Sequence, residues 1–352
     1  MTIRSKPIVD VGLSALLDTI RVIAAVYVVI HHVSVHLGLE HGFGVIFRFG
    51  QESVIVFFLL SGFVIYINEA WRENDWRGYY QRRLIRLYPP LICAILLSAF
   101  IAIDNGNSES VFSLRSLFGT LFMLQDISAL KPGVIIDPYL DNAPLWSLSY
   151  EALFYIAFPL ISACLLKAPH RTIHGVGVVC LTSYLLYVAL PNHWALIVSY
   201  FSIWWVGALA GRLYVNGRRS APELTIATVY LCLTALLSGL AVIWVGFVGV
   251  GVYPFLPFRH FAAALIFLPL GIAVGRFGAR YVPSHAVPTI KWMASISYGL
   301  YIFHFPLLTM WCRAGTGLGL IAAATVLVLC SYLFDRRLSM LLRARFEKSR
   351  AQ

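Results

Sequence analysis

Residues 11–37, VGLSALLDTIRVIAAVYVVIHHVSVHL, decide the fold. The stretch is longer than the about 20 apolar residues that a bilayer-crossing helix needs. It nevertheless carries Asp18, Arg21, His31, His32 and His36. Such groups are costly at membrane depth unless they face protein or trapped water. Arg21 and His32 are eleven positions apart. At about 100° and 1.5 Å per residue, both leave one helix face, separated by ~16 Å along it. A helix that served only as an anchor has no use for that face, so it is read as one wall of a working site.

The rest of the chain repeats the apolar pattern. Of 352 residues, 59% are hydrophobic and only 12% charged, with a mean hydropathy of +0.78. The charged fraction is half the about 25% of a soluble domain, which makes this an all-α polytopic transmembrane helix bundle. About ten spans are predicted: Ser14–Leu37, Gly44–Asn68, Pro90–Ile103, Leu145–Lys167, Thr172–Leu190, Leu196–Tyr214, Leu224–Val245, Phe255–Arg276, Trp292–Trp311 and Leu318–Leu338. Together they form a single integral membrane domain over residues 1–352, with spans from about 14 to 338. The third is short and opens with Pro89-Pro90 after the basic inner loop Trp71–Tyr88, so it is expected to tilt or be partly interfacial.

Charge orients the spans. The formal net charge is +11, but the basic residues are spread between spans rather than gathered into a nucleic-acid patch. The positive-inside rule accounts for them and places both termini in the cytoplasm. Inner connections hold Arg72, Arg77, Arg82, Arg83, Arg86, Lys167, Arg171, Arg212, Arg218, Arg219, Arg276, Arg280, Lys291 and the cluster from Arg336 to Arg350; outer ones hold little beyond Arg115, Lys131 and Arg313. Arg4 and Lys6 precede the first apolar run as in a signal peptide, but the charges within it and the lack of an A-x-A site predict a retained span. Cys93, Cys164, Cys180, Cys232, Cys312 and Cys330 lie in or beside apolar stretches without a CxxC pair, so they read as small hydrophobes. No metal-binding signature appears. Gly62 in FFLLSGFVIY reads as a close-packing glycine. The outer segment Asp104–Pro144 contains an amphipathic piece, Leu114–Leu124, suited to a membrane surface.

Three further stretches carry chemistry. RRLIRLYPP sets Arg83 and Arg86 at i,i+3 beside Arg82. Guanidinium forks match phosphate oxygens, as for a phosphorylated cytosolic donor, but the same cluster also suits anionic lipid. PLWSLSYEALFY puts Glu151 inside a span entered from the outer side. A carboxylate there could orient His32 as a general base, or be a helix N-terminal acid favoured by the dipole with Ser147 or Ser149 as cap. SYGLYIFHFPL places His304 among aromatics, where a satisfied core residue is the plainer reading. Arg48, Glu52, Arg259 and His260 gather at outer span ends, lining an acceptor pocket or resting at headgroup level; Arg48 and Glu52 could equally pair at i,i+4. His31 points about 100° away from His32 and need not share its site.

Together these stretches resemble the acyltransferase-3 family of integral membrane acyltransferases. Arg21 and His32, after Leu17-Asp18, resemble its Arg/Lys-x10-His signature; FFLLSGFVI resembles its second span. Arg83 and Arg86 resemble its Arg-x-x-Arg motif, and Trp146, Ser147, Ser149 and Glu151 its Trp-Ser-Leu-Ser-x-Glu motif. SYGLYIFHFPL resembles its penultimate span. Ala152 stands where the family often has a second acid, so that carry-over rests on Glu151 alone. The resemblance implies transfer of an acyl group, usually acetyl, from cytosolic acyl-CoA to a hydroxyl of a carbohydrate or glycolipid acceptor, with membrane lipids around the protein and no nucleic acid partner. Arg82, Arg83, Arg86 and Arg21 would hold the donor, while His32, oriented by Glu151, would deprotonate the acceptor. Arg48, Trp146, Ser149, Arg259, His260 and His304 would contribute to acceptor binding. The chain resembles stand-alone members without an appended esterase-like domain, and a bacterial inner membrane is the expected location. The rival reading is a transporter or flippase that uses the buried His, Glu and Arg groups as a relay.

Overall fold

The computed structural model describes residues 9–39, 42–72, 75–107, 109, 111, 113–311 and 315–351. Arg4, Lys6, Cys312 and Arg313, which entered the reading of charge and cysteines, lie outside them. The described chain is helical. Among its residues, nine helices are long and apolar enough to cross a membrane. They include α1 (Val11–His36), α2 (Gly50–Glu69), α3 (Trp76–Asp104), α5 (Trp146–Lys167), α6 (Pro169–Ala189), α7 (His193–Asn216), α8 (Ala221–Val245) and α9 (Phe255–Phe277). The ninth is a run of joined segments, α12 (Gly317–Cys330), a π-helical stretch Ser331–Leu338 and α13 (Ser339–Ala351). The short α4 (Leu114–Leu121) is the amphipathic piece expected in the long outer segment. The chain is an integral membrane protein by these measures.

Two expectations change. The stretch Arg82–Pro90 is not a loop before a short span: α3 runs unbroken through Pro89 and Pro90. Proline removes a backbone donor and crowds the preceding turn, but neighbouring groups in a membrane bundle can take up the freed carbonyls. The carbonyls freed are those of Ile85 and Arg86, and beside them the Tyr298 hydroxyl donates to the Leu87 carbonyl at 3.3 Å. Arg82, Arg83 and Arg86 are therefore held on a rigid helix.

Trp292–Trp311, by contrast, is not one helix. It divides into α10 (Val287–Ala294), α11 (Ser297–Phe305) and a π-helical turn Pro306–Met310. Beginning a helix inside the bundle leaves its first N–H groups without partners. The buried Asp335, presented by the π-helical stretch, accepts from Gly299 N–H at 2.9 Å. A carboxylate at that helix start is also favoured by the dipole.

The centre of the bundle is α7, whose buried face meets α2 without intervening side chains. A Cβ at Gly62 would overlap the Trp204 carbonyl, and one at Gly207 the Leu59 carbonyl; Gly211 faces Phe63. This is small-residue packing of the kind that lets membrane helices approach closely. Gly207→Val is expected to cost about 1–3 kcal/mol through overpacking, seen as a lower thermal midpoint of the solubilised protein. An unchanged midpoint would show that α2 and α7 are not so close.

The loop after α4 is anchored from inside. Asp126 is fully buried and pairs with Lys131 Nζ at 2.6 Å; the Tyr150 hydroxyl donates to it at 2.6 Å, and His193 Nε2 lies 3.6 Å away. Lys131 is thus no exposed outer-loop charge. Burial holds its ammonium below the ordinary lysine pKa, with Asp126 opposing that shift. Asp126→Asn keeps a partner for Tyr150 but leaves the ammonium enclosed without a counter-charge. The expected loss is about 3 kcal/mol, measured by denaturation in detergent; a near-neutral effect would mean that water reaches Lys131.

Candidate active site

A cavity of about 460 Å³ lies between α1, α2, α3, α5, α10 and α11. Arg21 enters it from α1, Ser61 from α2, Arg83 and Arg86 from α3, and Glu151 and Tyr155 from α5. Lys291 and Arg343 complete the wall nearest the arginine-rich end, so five cationic and two acidic side chains line the space. Walls of low polarizability focus such an excess of one sign, making the cavity attractive to an anion.

Arg21, Arg83 and Arg86 are each anchored by a carboxylate. Arg21 Nη1 donates to Asp18 Oδ1 at 3.1 Å. Arg83 Nη2 donates to Glu69 Oε1 at 3.1 Å, and Arg82 grips the same carboxylate through Nε at 3.0 Å and Nη2 at 2.6 Å. Arg86 Nη1 donates to Asp335 Oδ1 at 3.2 Å. Glu69 and Asp335 side chains are 5% and 0% exposed, whereas those of Arg83 and Arg86 are 20% and 29% exposed. The carboxylates therefore belong to the wall and the guanidinium edges to the cavity. A guanidinium has five N–H donors, and the carboxylates engage only some of them. Arg83 Nε is buried without a hydrogen-bond partner. Arg82 is turned to Glu69 and Asp75 and does not line the cavity.

Glu151 does not meet His32. Its Oε1 accepts from Ser61 Oγ at 3.3 Å and from the Tyr155 hydroxyl in a very short contact, while Trp204 Nε1 donates to Ser61 Oγ at 3.2 Å. The reason is depth. Tyr301 of α11 donates to the Pro144 carbonyl at 2.6 Å, so Ser147 must be the donor in its 2.9 Å bond with Tyr301. Glu151 lies one turn from Ser147 toward the arginines; His304 lies one turn from Tyr301 the other way. Their levels differ by roughly 10 Å along the axis.

His32 sits at the His304 level. Its ring centroid is 5.3 Å from that of His304, 4.9 Å from that of His31 and 5.1 Å from that of Phe305. Its separation from Arg21 matches the helical spacing, but only Arg21 lines the cavity. His31 joins the same cluster after all, its Nδ1 donating to the Phe47 carbonyl at 2.6 Å.

Among the described residues, none of the other expected positions lines the cavity, although Trp146 and His260 meet each other away from it. Trp146 is buried, stacked on His260 at 6.0 Å and 9°, with Lys131 Nζ over its face at 4.0 Å. His260 Nδ1 meets the Tyr200 hydroxyl at 2.7 Å. Ser149 turns back to the Trp146 carbonyl at 2.8 Å. Arg259, not Arg48, pairs with Glu52, at 2.5 Å; Arg48 is exposed.

Glu69, Asp335, Ser61, Tyr155, Lys291 and Arg343 were not legible as site residues. Glu69 and Asp335 carry the same signal as Glu151, an acid in an apolar span. Tyr155 stands at i+4 from Glu151 and so shares its face. Nothing local marks Lys291 or Arg343.

The chain matches the profile of a family described as an acyltransferase domain over residues 15–335. Among curated proteins it is 34% identical over 129 residues to an acyltransferase, MdmB, of Streptomyces mycarofaciens, covering 35% of this chain and 31% of that protein. It is 32% identical over 149 residues to an O-acetyl transferase of Shigella phage Sf6, covering 40% of this chain and 43% of that one. With the O-acetyltransferase OatA of Staphylococcus aureus it shares 28% identity over 181 residues, 47% of this chain and 28% of the relative. The matched stretches thus span less than half of each relative. No solved structure matches.

Proposed function

The chain belongs to the acyltransferase-domain family, matched over residues 15–335, and on that premise we propose that it moves an acetyl group from cytosolic acyl-CoA to a hydroxyl of a bacterial cell-surface or exported glycan, acting in the inner membrane. The observation that carries this reading is the convergence of Arg21, Arg83, Arg86 and Glu151 on one cavity. Two of the three relatives are named as O-acetyl transferases, which supports acetyl as the group and oxygen as its acceptor.

In this mechanism Arg83 and Arg86 hold the donor phosphates with their cavity-facing N–H groups, each oriented by its buried carboxylate. Arg21 attracts the donor deeper along the same wall. The acyl thioester reaches past Ser147 and Tyr301 toward His32. As the acceptor oxygen attacks the carbonyl carbon, its proton passes to the His32 imidazole; the C–O bond forms, the C–S bond breaks, and the departing thiolate receives that proton. Glu151 acts as a positioning group through Ser61 and Tyr155, not as the partner of His32.

The test supplies purified protein in lipid nanodiscs with radiolabelled acetyl-CoA and deacetylated glycan from cells lacking the gene. Label transferred to glycan in proportion to enzyme supports the reading. A protein that neither binds acetyl-CoA nor transfers label from it is no acetyl-CoA-dependent enzyme, and a transporter would then account better for its buried charges.

A further inference from the structure

We infer that His304 is a positioning residue that accepts a hydrogen bond from the His32 imidazolium, the role a carboxylate fills in other imidazole bases. The inference rests on the acyl-transfer reading above and assigns His32 its partner.

His304 is fully buried. Its Nδ1 faces two carbonyl oxygens, of Tyr301 at 2.8 Å and of Leu300 at 3.1 Å. A carbonyl only accepts, so Nδ1 carries the proton and Nε2 of the neutral ring presents a lone pair. That Nε2 is buried with no hydrogen-bond partner. An orphaned acceptor in a dry bundle is costly, and the ring beside it is His32, at 5.3 Å between centroids and tilted by 36°. The ring is held from three sides, by its own helix carbonyls, by Tyr301 at 6.3 Å and by Phe305 at 6.4 Å.

Among the described residues, the ionisable neighbours of His32 are His31 on its own helix and His304 on α11. Neither is a carboxylate, and Glu151 bonds to Ser61 and Tyr155. When His32 takes the acceptor proton on one nitrogen, the N–H on its other nitrogen gains charge and needs an acceptor. His304 Nε2 supplies it without being ionised, and the bond loosens when the proton moves on to the leaving thiolate. No net charge is added to the membrane interior, where a carboxylate in this place would be expensive. His31 is less suited, because its ring is only half-buried and its Nδ1 already donates to the Phe47 carbonyl.

Two variants separate this role from packing. In His304→Asn the amide nitrogen falls where Nδ1 was and keeps a donor for the Tyr301 carbonyl, while the Nε2 acceptor is lost. In His304→Gln the side-chain amide reaches the Nε2 position and restores an acceptor. Both are assayed by acetyl transfer from labelled acetyl-CoA to deacetylated glycan across pH. The Asn variant is expected to lose on the order of 10²-fold in kcat, within the range of general-base assistance, with the donor KM unchanged. Its acid limb moves to lower pH, because the imidazolium of His32 has lost a stabilising acceptor. The Gln variant recovers most of the rate and returns the limb toward its wild-type position.

An Asn variant with wild-type kcat overturns the inference. So does a loss of rate in both variants without displacement of the limb, which assigns His304 to packing. If the Asn variant does not accumulate in the membrane, the Gln profile decides alone: a retained limb and rate support the role, and a lost rate with an unmoved limb rejects it. Failure of the wild-type protein to transfer label rejects the acyl-transfer reading instead, so the two failures are distinguishable.

Discussion

His32→Ala is expected to lower acetyl transfer by about 10²–10⁴-fold, the range contributed by a positioned general base. The expectation rests on where the ring lies. His32 is on the same face of α1 as Arg21 but three turns further on, in a cluster with His31 and His304 beyond the Tyr301–Ser147 bond. Removing the ring deletes the proposed proton acceptor and leaves the cationic cavity intact, since His32 is not part of its lining. Acetyl-CoA should therefore bind with unchanged affinity while the chemical step slows. His31→Ala serves as the control and should cost much less, because its Nδ1 proton is committed to the Phe47 carbonyl. Single-turnover assays on nanodisc-embedded protein distinguish the two steps. Near-wild-type turnover by correctly inserted His32→Ala protein removes His32 from the mechanism.

Loss of both cavity-facing guanidinium groups of α3 should have an effect of similar size on binding. A hydrogen bond to a charged group contributes about 1.5–3 kcal/mol, so removing Arg83 and Arg86 predicts a loss on the order of 10²–10⁴-fold in acetyl-CoA affinity. A plain Arg83→Ala, Arg86→Ala protein confounds this result. It would leave the Asp335 carboxylate, 0% exposed, without its ion-pair partner, whereas Glu69 keeps Arg82, and an uncompensated buried charge is itself strongly destabilising. The cleaner design pairs Arg83→Gln, which leaves Glu69 to Arg82, with the neutralised couple Arg86→Gln and Asp335→Asn. Arg82 still grips the unchanged Glu69 carboxylate through two N–H groups, and an Asn at 335 retains an oxygen for Gly299 N–H. Binding lost in the paired variants at little cost in thermal midpoint supports a phosphate clasp. Unchanged acetyl-CoA affinity would return these arginines to the role of structural ion pairs.

Much of the plan was legible along the chain because membrane cost acts locally. A polar group in an apolar run announces itself, as Arg21, His32 and Glu151 do, and the Arg83–Arg86 turn stands out by its paired basic spacing. The family match covers the chain from residue 15 to 335, the span over which those residues lie. The errors came where one backbone group depends on a distant one. Pro89-Pro90 looked like the end of a loop, yet α3 continues through it, with the Tyr298 hydroxyl bonded to the Leu87 carbonyl. Trp292–Trp311 looked like one span, yet it breaks at Ser295-Ile296, and Asp335 bonds to Gly299 N–H of the restarted helix. Gly62 was recognisable as a packing glycine, whereas its counterpart Gly207 acquires meaning only against the Leu59 carbonyl.

The amino-acid sequence by itself determined that this is a bundle of membrane helices and which ionisable groups it must shelter. Both follow from solvation, which each residue meets separately. Which groups share a site was decided only in three dimensions. Helix depth and rotation set Glu151 beside Ser61 and Tyr155, set Glu69 and Asp335 behind the arginines, and set a second imidazole, not a carboxylate, against His32. Such pairings depend on register between helices far apart in the chain, a quantity that no single helix encodes.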